Sequence, residues 1–186
     1  MARFLKIDFK PAAKKQLRHL IKALEKPEAL LNGPKTQETL KHVAEQGLDF
    51  LLAGIQRRRS GWSELSAITK AIKGNDRPLV DTGTFIRAMK AWNEGKAWFA
   101  GLPEGATGPG GEDLAVIGAV HEHGATIPVS PEMRAFFAFK GFPLRTDTRF
   151  IVVPPRPWFG PAAEETEKYA AKVLPALGDI LARELK

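Results

Sequence analysis

At 186 residues, 44% hydrophobic and 26% charged, the chain has the size and balance of one globular unit with a sizeable core. It has no cysteine, which excludes a disulfide framework and a thiolate metal site, and no segment approaches the roughly 20 apolar residues of a membrane span. The net charge of +7 sits wholly in residues 1–60, where 13 Lys and Arg face 6 Asp and Glu; residues 61–186 balance. An excess placed this way suits contact with nucleic acid or an acidic surface, or else a solvated, lysine-rich helical face.

The first nine residues hold no apolar run long enough for a signal peptide. Pro11 suits a first helical turn, and Leu17, Leu20, Ile21 and Leu24 recur at helical spacing up to Pro27. A turn cluster at 30–34 follows. A longer helix, capped at Thr36 or a neighbour, then carries Leu40, Val43, Ala44, Leu48, Leu51, Leu52 and Ile55 on one face. The two helices are expected to pair as a hairpin. Arg57, Arg58 and Arg59 close the second helix, either as cations matching its dipole or as a phosphate or carboxylate contact. A short helix over about Ser63–Ile72 completes a basic helical segment, residues 1–75.

The character changes after Pro78. Leu79-Val80-Asp81-Thr82-Gly83 is an apolar-to-turn transition, with Thr82 as a candidate cap for a short helix through Phe85 and Ile86. Met89–Asn93 and Lys96–Leu102 read as a hairpin carrying Trp92 and Trp98. Residues 101–113, rich in glycine and without period, read as a long mobile loop. Asp113 caps a helix through Leu114, Ile117 and His121, closed by Gly124. Ile127-Pro128-Val129 is extended, Pro131 starts a helix with Met133, Phe136, Phe137 and Phe139, and Arg149–Val153 is a strand.

The strand must stop at Pro154, because proline cannot donate to a ladder. Pro154-Pro155-Arg156-Pro157 is a stiff arm that sets Trp158 and Phe159 at a defined place, either anchoring the next helix onto the sheet or docking into a partner. Arg156 is expected to pair with an acidic group of its own subunit. Pro161 opens a long C-terminal helix with Glu164, Glu165 and Glu167 near its start, Arg183 and Lys186 near its end, and a kink or break at Pro175. The fold class is therefore α+β: a small antiparallel sheet flanked by helices, residues 76–186, behind the helical lead.

Signals for catalysis are poor. His121 and His123 stand two apart, so on a helix their imidazoles diverge, whereas a zinc helix needs them four apart. The 105–111 loop lacks the lysine and hydroxyl of a phosphate cradle. No serine lies in a nucleophile elbow. No cofactor is expected. A small metallohydrolase built on His121 and His123 is kept only as the third alternative. A nucleic-acid-binding module using the basic N-terminal helices, through Arg57, Arg58 and Arg59, is the second. Aromatics and arginine dominate protein contacts, and the aromatic second half, with Trp158 as a candidate contact, reads as an assembly piece.

Three elements stand in order: Asp81-Thr82-Gly83, then His121-Glu122-His123-Gly124, then Pro154-Pro155-Arg156-Pro157-Trp158-Phe159. This succession over residues 79–186, with Met133-Arg134 between the last two, resembles the tail-completion and virion-morphogenesis proteins of tailed bacteriophages. Asp81, Thr82 and Gly83 match that family's first motif, His121, Glu122 and Gly124 its second, and Pro154, Arg156, Pro157 and Phe159 its third. The resemblance implies a structural protein of the virion neck, assembled in the host cytoplasm. It implies a ring, commonly hexameric, between the head connector or adaptor and the tail terminator or tail tube, with no chemistry of its own; the basic N-terminal face adds the option of transient contact with packaged DNA.

Overall fold

The structure, a computed structural model, describes residues 5–6 and 32–184, with side chains up to residue 179. The expected helix after Pro11, and its pairing as a hairpin, lie outside the described residues.

The long helix α1 (Pro34–Gln56) starts with proline in its first turn behind Gly33, so the start falls before Thr36, which is buried within the helix rather than capping it. Val43, Ala44, Gly47, Leu51 and Ile55 recur every three or four residues and form its buried stripe. Helix α2 (Ala67–Lys73) is capped by the Ser66 hydroxyl, which accepts from the Thr69 N–H at 3.1 Å, and ends on Gly74 at φ 71°. Helix α3 (Thr84–Ala88) is a single short turn. Strands β2 (Lys90–Glu94) and β3 (Ala97–Gly101) form the expected hairpin, shifted one residue at the turn, with Trp92 stacked on Phe99 across it. The two-residue strand β1 (Leu5–Lys6) pairs antiparallel with the other side of β3, giving the order β1-β3-β2.

Helix α4 (Leu114–His123) is capped by Asp113, whose carboxylate accepts from the Ala115 and Val116 N–H groups at 2.8 and 3.2 Å. Strand β4 (Ala125–Pro128), helix α5 (Pro131–Phe139) and strand β5 (Phe150–Val153) follow, β4 and β5 pairing antiparallel as a separate two-stranded ribbon. The chain closes with α6 (Phe159–Glu184). The α+β class with a long C-terminal helix is as the sequence implied.

Two expectations are corrected. Helix α6 begins at Phe159, before Pro161, and does not break at Pro175. Pro175 and Ala171, whose carbonyl the ring leaves unbonded, are both exposed, so water can satisfy that oxygen. Residues 102–113 are not a structureless loop. Gly108 donates to the Glu112 carbonyl at 2.7 Å, Leu114 to that of Ala106 at 3.0 Å, and Thr107 bridges Asp113, so the glycines build nested turns. The described part of the helical lead packs onto the rest of the chain: Leu51, Ile55 and Trp62 share one buried cluster with Leu79, Phe85, Met89, Leu114, Trp158 and Ala162. Helix α1 packs against both α6 and the β2–β3 hairpin. Trp98 donates its indole N–H to Gln37 at 3.0 Å, and Phe50 meets Tyr169 edge-on.

Candidate functional site: a motif latch and an outlying aromatic unit

Glycine at 118 leaves a notch in α4 that the Trp158 ring fills. Trp158 is 6% exposed, meets Phe85 edge-on with centroids 5.2 Å apart, and donates its indole N–H to the Gly118 carbonyl at 2.9 Å. One turn on, the Glu122 carboxylate accepts the backbone N–H groups of Trp158, Phe159 and Gly160 at 2.7, 2.8 and 2.9 Å. These are unpaired donors at the start of α6, and an anion there also complements the helix dipole. Glu122 thus caps a helix more than thirty residues away in sequence.

Arg156 is buried, but not against a carboxylate. Its guanidinium donates to the carbonyls of Ser63 and Glu64 at 2.8 and 3.0 Å, and its own N–H donates to the His121 carbonyl at 2.6 Å. The expected acidic partner is replaced by backbone oxygens because the segment before α2 supplies two carbonyls at the spacing of the guanidinium fork. Trp62 returns the contact, donating to the Pro157 carbonyl at 3.0 Å. Gly124, at φ 73°, admits no side chain: a Cβ would stand 2.9 Å from the Val153 carbonyl and 3.0 Å from the Pro155 ring. The second and third motifs therefore form one latch that locks α4, the arm and α6 together.

His121 sits inside this latch, mostly buried. Its pKa is pushed down to about 4 by burial, with the charges of Arg156 and Lys73 adding repulsion, so the ring is neutral at pH 7. His123, two residues on, is exposed. No cluster of three metal-ligating side chains occurs among the described residues.

The first motif lies apart. Gly83, not Thr82, holds the position before α3, in the left-handed region at φ 80°. Thr82 bonds the Thr84 hydroxyl at 2.7 Å, and its carbonyl accepts from Arg87 at 2.9 Å. Asp81 and Thr82 line a cavity of about 500 Å³ between α2, this turn, residues 108–112 and α4, with His121 also on its wall.

One candidate contact is corrected. Trp158 is core, so of its two expected roles the arm performs the anchoring one. Of the readings given for the arginine run, the carboxylate contact holds for Arg59. Arg59 pairs with Glu165 on α6 at 2.7 Å and bonds the Phe50 carbonyl, and Arg58 bonds the Trp62 carbonyl and lies 3.9 Å from Glu64; of the three only Arg57 is fully exposed. The chain turns sharply after α1, with Arg58 at φ 54°, and this splays the side chains.

The exposed aromatics are elsewhere. Phe139 is 87% exposed and Phe136 47% on α5; Phe150 and Val152 are 56% and 69% exposed on β5. Across the ribbon Val152 pairs with Thr126 and Phe150 with Pro128, so one face is apolar and turned outward. Arg134 ties α5 to the segment leading into β5 by donating to the carbonyls of Arg145, Thr146 and Thr148. From sequence, the aromatic second half reads as an assembly piece, but with only Trp158 named as its contact. A signal for the others was present: Phe136 and Phe139, three apart, share one face of α5.

Comparison with protein-family models, with curated proteins and with solved structures gives no match to this chain. Among the described residues, no helix is long and apolar enough to cross a membrane.

Proposed function

We propose that the chain is a structural protein of the neck of a tailed-phage virion, which assembles into a ring between the head connector and the tail. Two things support this reading. The motif residues His121, Glu122, Gly124, Arg156 and Pro157 serve a load-sharing latch, which is an architectural use. The observation that carries the reading is the outward apolar face of the β4–α5–β5 unit, with Phe136, Phe139, Phe150 and Val152 in water. An apolar surface of this kind marks an interaction site. A two-stranded ribbon is also marginal alone and gains from a partner along its face or edge. Copies related by rotation close a ring through contacts of this sort.

Native mass spectrometry and electron microscopy of the full chain, over a range of concentrations and with tail and connector proteins added, test the proposal. Rings that join either component are the expected result. A chain that stays monomeric in every mixture and joins no virion component rejects it.

A further inference from the structure

The chain carries a projecting aromatic and an open apolar cavity on different elements. The projection is Phe139, at the last turn of α5, with Phe136 beside it and the Lys140 ammonium 5.7 Å from the Phe136 ring centre. The cavity, about 500 Å³, has Leu65, Leu79, Phe85, Leu114 and Ile117 in its wall. That is within the size range of sites that enclose drug-sized ligands, and one aromatic side chain with its neighbours fits in it.

We propose that Phe139 of one copy inserts into this cavity of the next copy, and that this contact closes the assembly. The inference rests on the ring reading above and names the surface that makes the ring. The occupant is a second copy because the charges are complementary. Residues 131–149, around the projection, hold Arg134, Lys140, Arg145 and Arg149 against Glu132 and Asp147. The cavity presents the carboxylates of Asp81 and Glu112. Its one lysine, Lys73, donates to the Arg77 carbonyl at 2.6 Å and lies in the field of Asp81, so the charged lining, two carboxylates against one ammonium, is net negative. Lys140, next to Phe139 in sequence, brings a positive charge to that lining. Since projection and cavity are different patches, the contact is heterologous, and repeated rotation yields a ring or a helical filament and no simple two-fold pair. Pro109 lines the cavity in a turn where the Gly110 N–H donates to the Glu112 carboxylate at 3.0 Å.

The test uses the full chain. Phe139→Ser removes the projection without touching the core, so its circular dichroism and melting temperature should match those of the parent. Its self-association in sedimentation should weaken by roughly 30-fold or more, as for an interface hot spot. Lys140→Glu should weaken assembly as well. The absence of native cysteine allows a direct check: Ala138→Cys and Pro109→Cys chains, both keeping Phe139, should form a cross-linked pair containing one of each when mixed and mildly oxidised. Cross-linking of Ala138→Cys chains only to one another shows a two-fold contact and overturns the proposal. Rings that persist in Phe139→Ser, with no mixed cross-link, overturn it while leaving the neck reading intact. A parent chain that is monomeric throughout overturns both.

Discussion

The Gly118 Cα hydrogen faces the Trp158 ring so closely that a methyl group there would stand 2.9 Å from Cζ2 of the indole, and 3.3 Å from Phe85. The two residues are forty positions apart. Their contact joins α4 to the start of α6, and the rest of the latch is arranged around it.

Gly118→Ala should therefore destabilise the fold, although alanine is the better helix former. Overpacking in a tight core costs about 1–3 kcal/mol, which exceeds the helix-propensity gain of about 1 kcal/mol at the upper end. Thermal unfolding should show a fall of several degrees, about 2–4 °C per kcal/mol for a chain of this size. A variant that melts at or above the parent temperature would mean the notch is looser than described.

Glu122→Ala should cost more than Glu122→Gln. The carboxylate accepts three backbone N–H groups at the start of α6. Bonds to a charged acceptor contribute about 1.5–3 kcal/mol each in favourable cases, and orphaned donors add desolvation cost. Glutamine keeps one accepting oxygen and loses the charge. Denaturant unfolding should rank parent, Gln and Ala in that order, and amide exchange at 158–160 should quicken most in Ala.

His121 gives the fold an acid-sensitive component. Its pKa is about 4 when folded against an ordinary 6.5. Between those values the unfolded chain binds a proton that the folded chain refuses, so stability is present above pH 6.5 and is lost as pH falls toward 4. The loss is on the order of 3 kcal/mol, at 1.36 kcal/mol per unit. His121→Gln should flatten the stability curve across that window. An unchanged slope in the variant would assign the acid sensitivity to other groups.

Arg156→Lys should behave as a disruptive change despite the retained charge. Lysine has no fork with which to reach the Ser63 and Glu64 carbonyls together. One buried carbonyl left unpaired costs about 1–3 kcal/mol. Arg156→Met carries a second readout. Removing the cation that repels the His121 imidazolium should raise the His121 pKa from about 4 toward its ordinary value, measurable by NMR titration of the ring.

Local signals marked most elements. Ser66, Asp113 and Ser130 cap the helices that follow them. Pro154 ends β5, and the spacing of Val43, Leu51 and Ile55 marks the buried face of α1. Boundaries moved where a distant group intervened. Helix α6 starts at Phe159, two residues before the proline that suggested its opening, because Glu122 satisfies donors that nothing nearby in sequence satisfies.

The residues of the second and third motifs were legible as candidates, and their roles were not. Trp158, with its preceding prolines, reads equally as an arm for a partner or for its own core. Only the notch at Gly118, contributed by another helix, decides between the two. Arg156 read as half of an ion pair, but the nearest acceptors are two carbonyls of the loop before α2. The arginine run at 57–59 looked continuous, yet each guanidinium takes its own direction once the backbone turns at Arg58.

The amino-acid order by itself determined the α+β class, the hairpin, the capped helices and the charge imbalance, because periodicity, capping and proline stereochemistry act within a few residues. Tertiary structure alone decided which aromatics are enclosed and which project, and that Glu122 and Arg156 bind backbone groups of remote segments. Those outcomes depend on which surfaces meet after the chain has folded back on itself, and hydrophobicity carries no direction until they do.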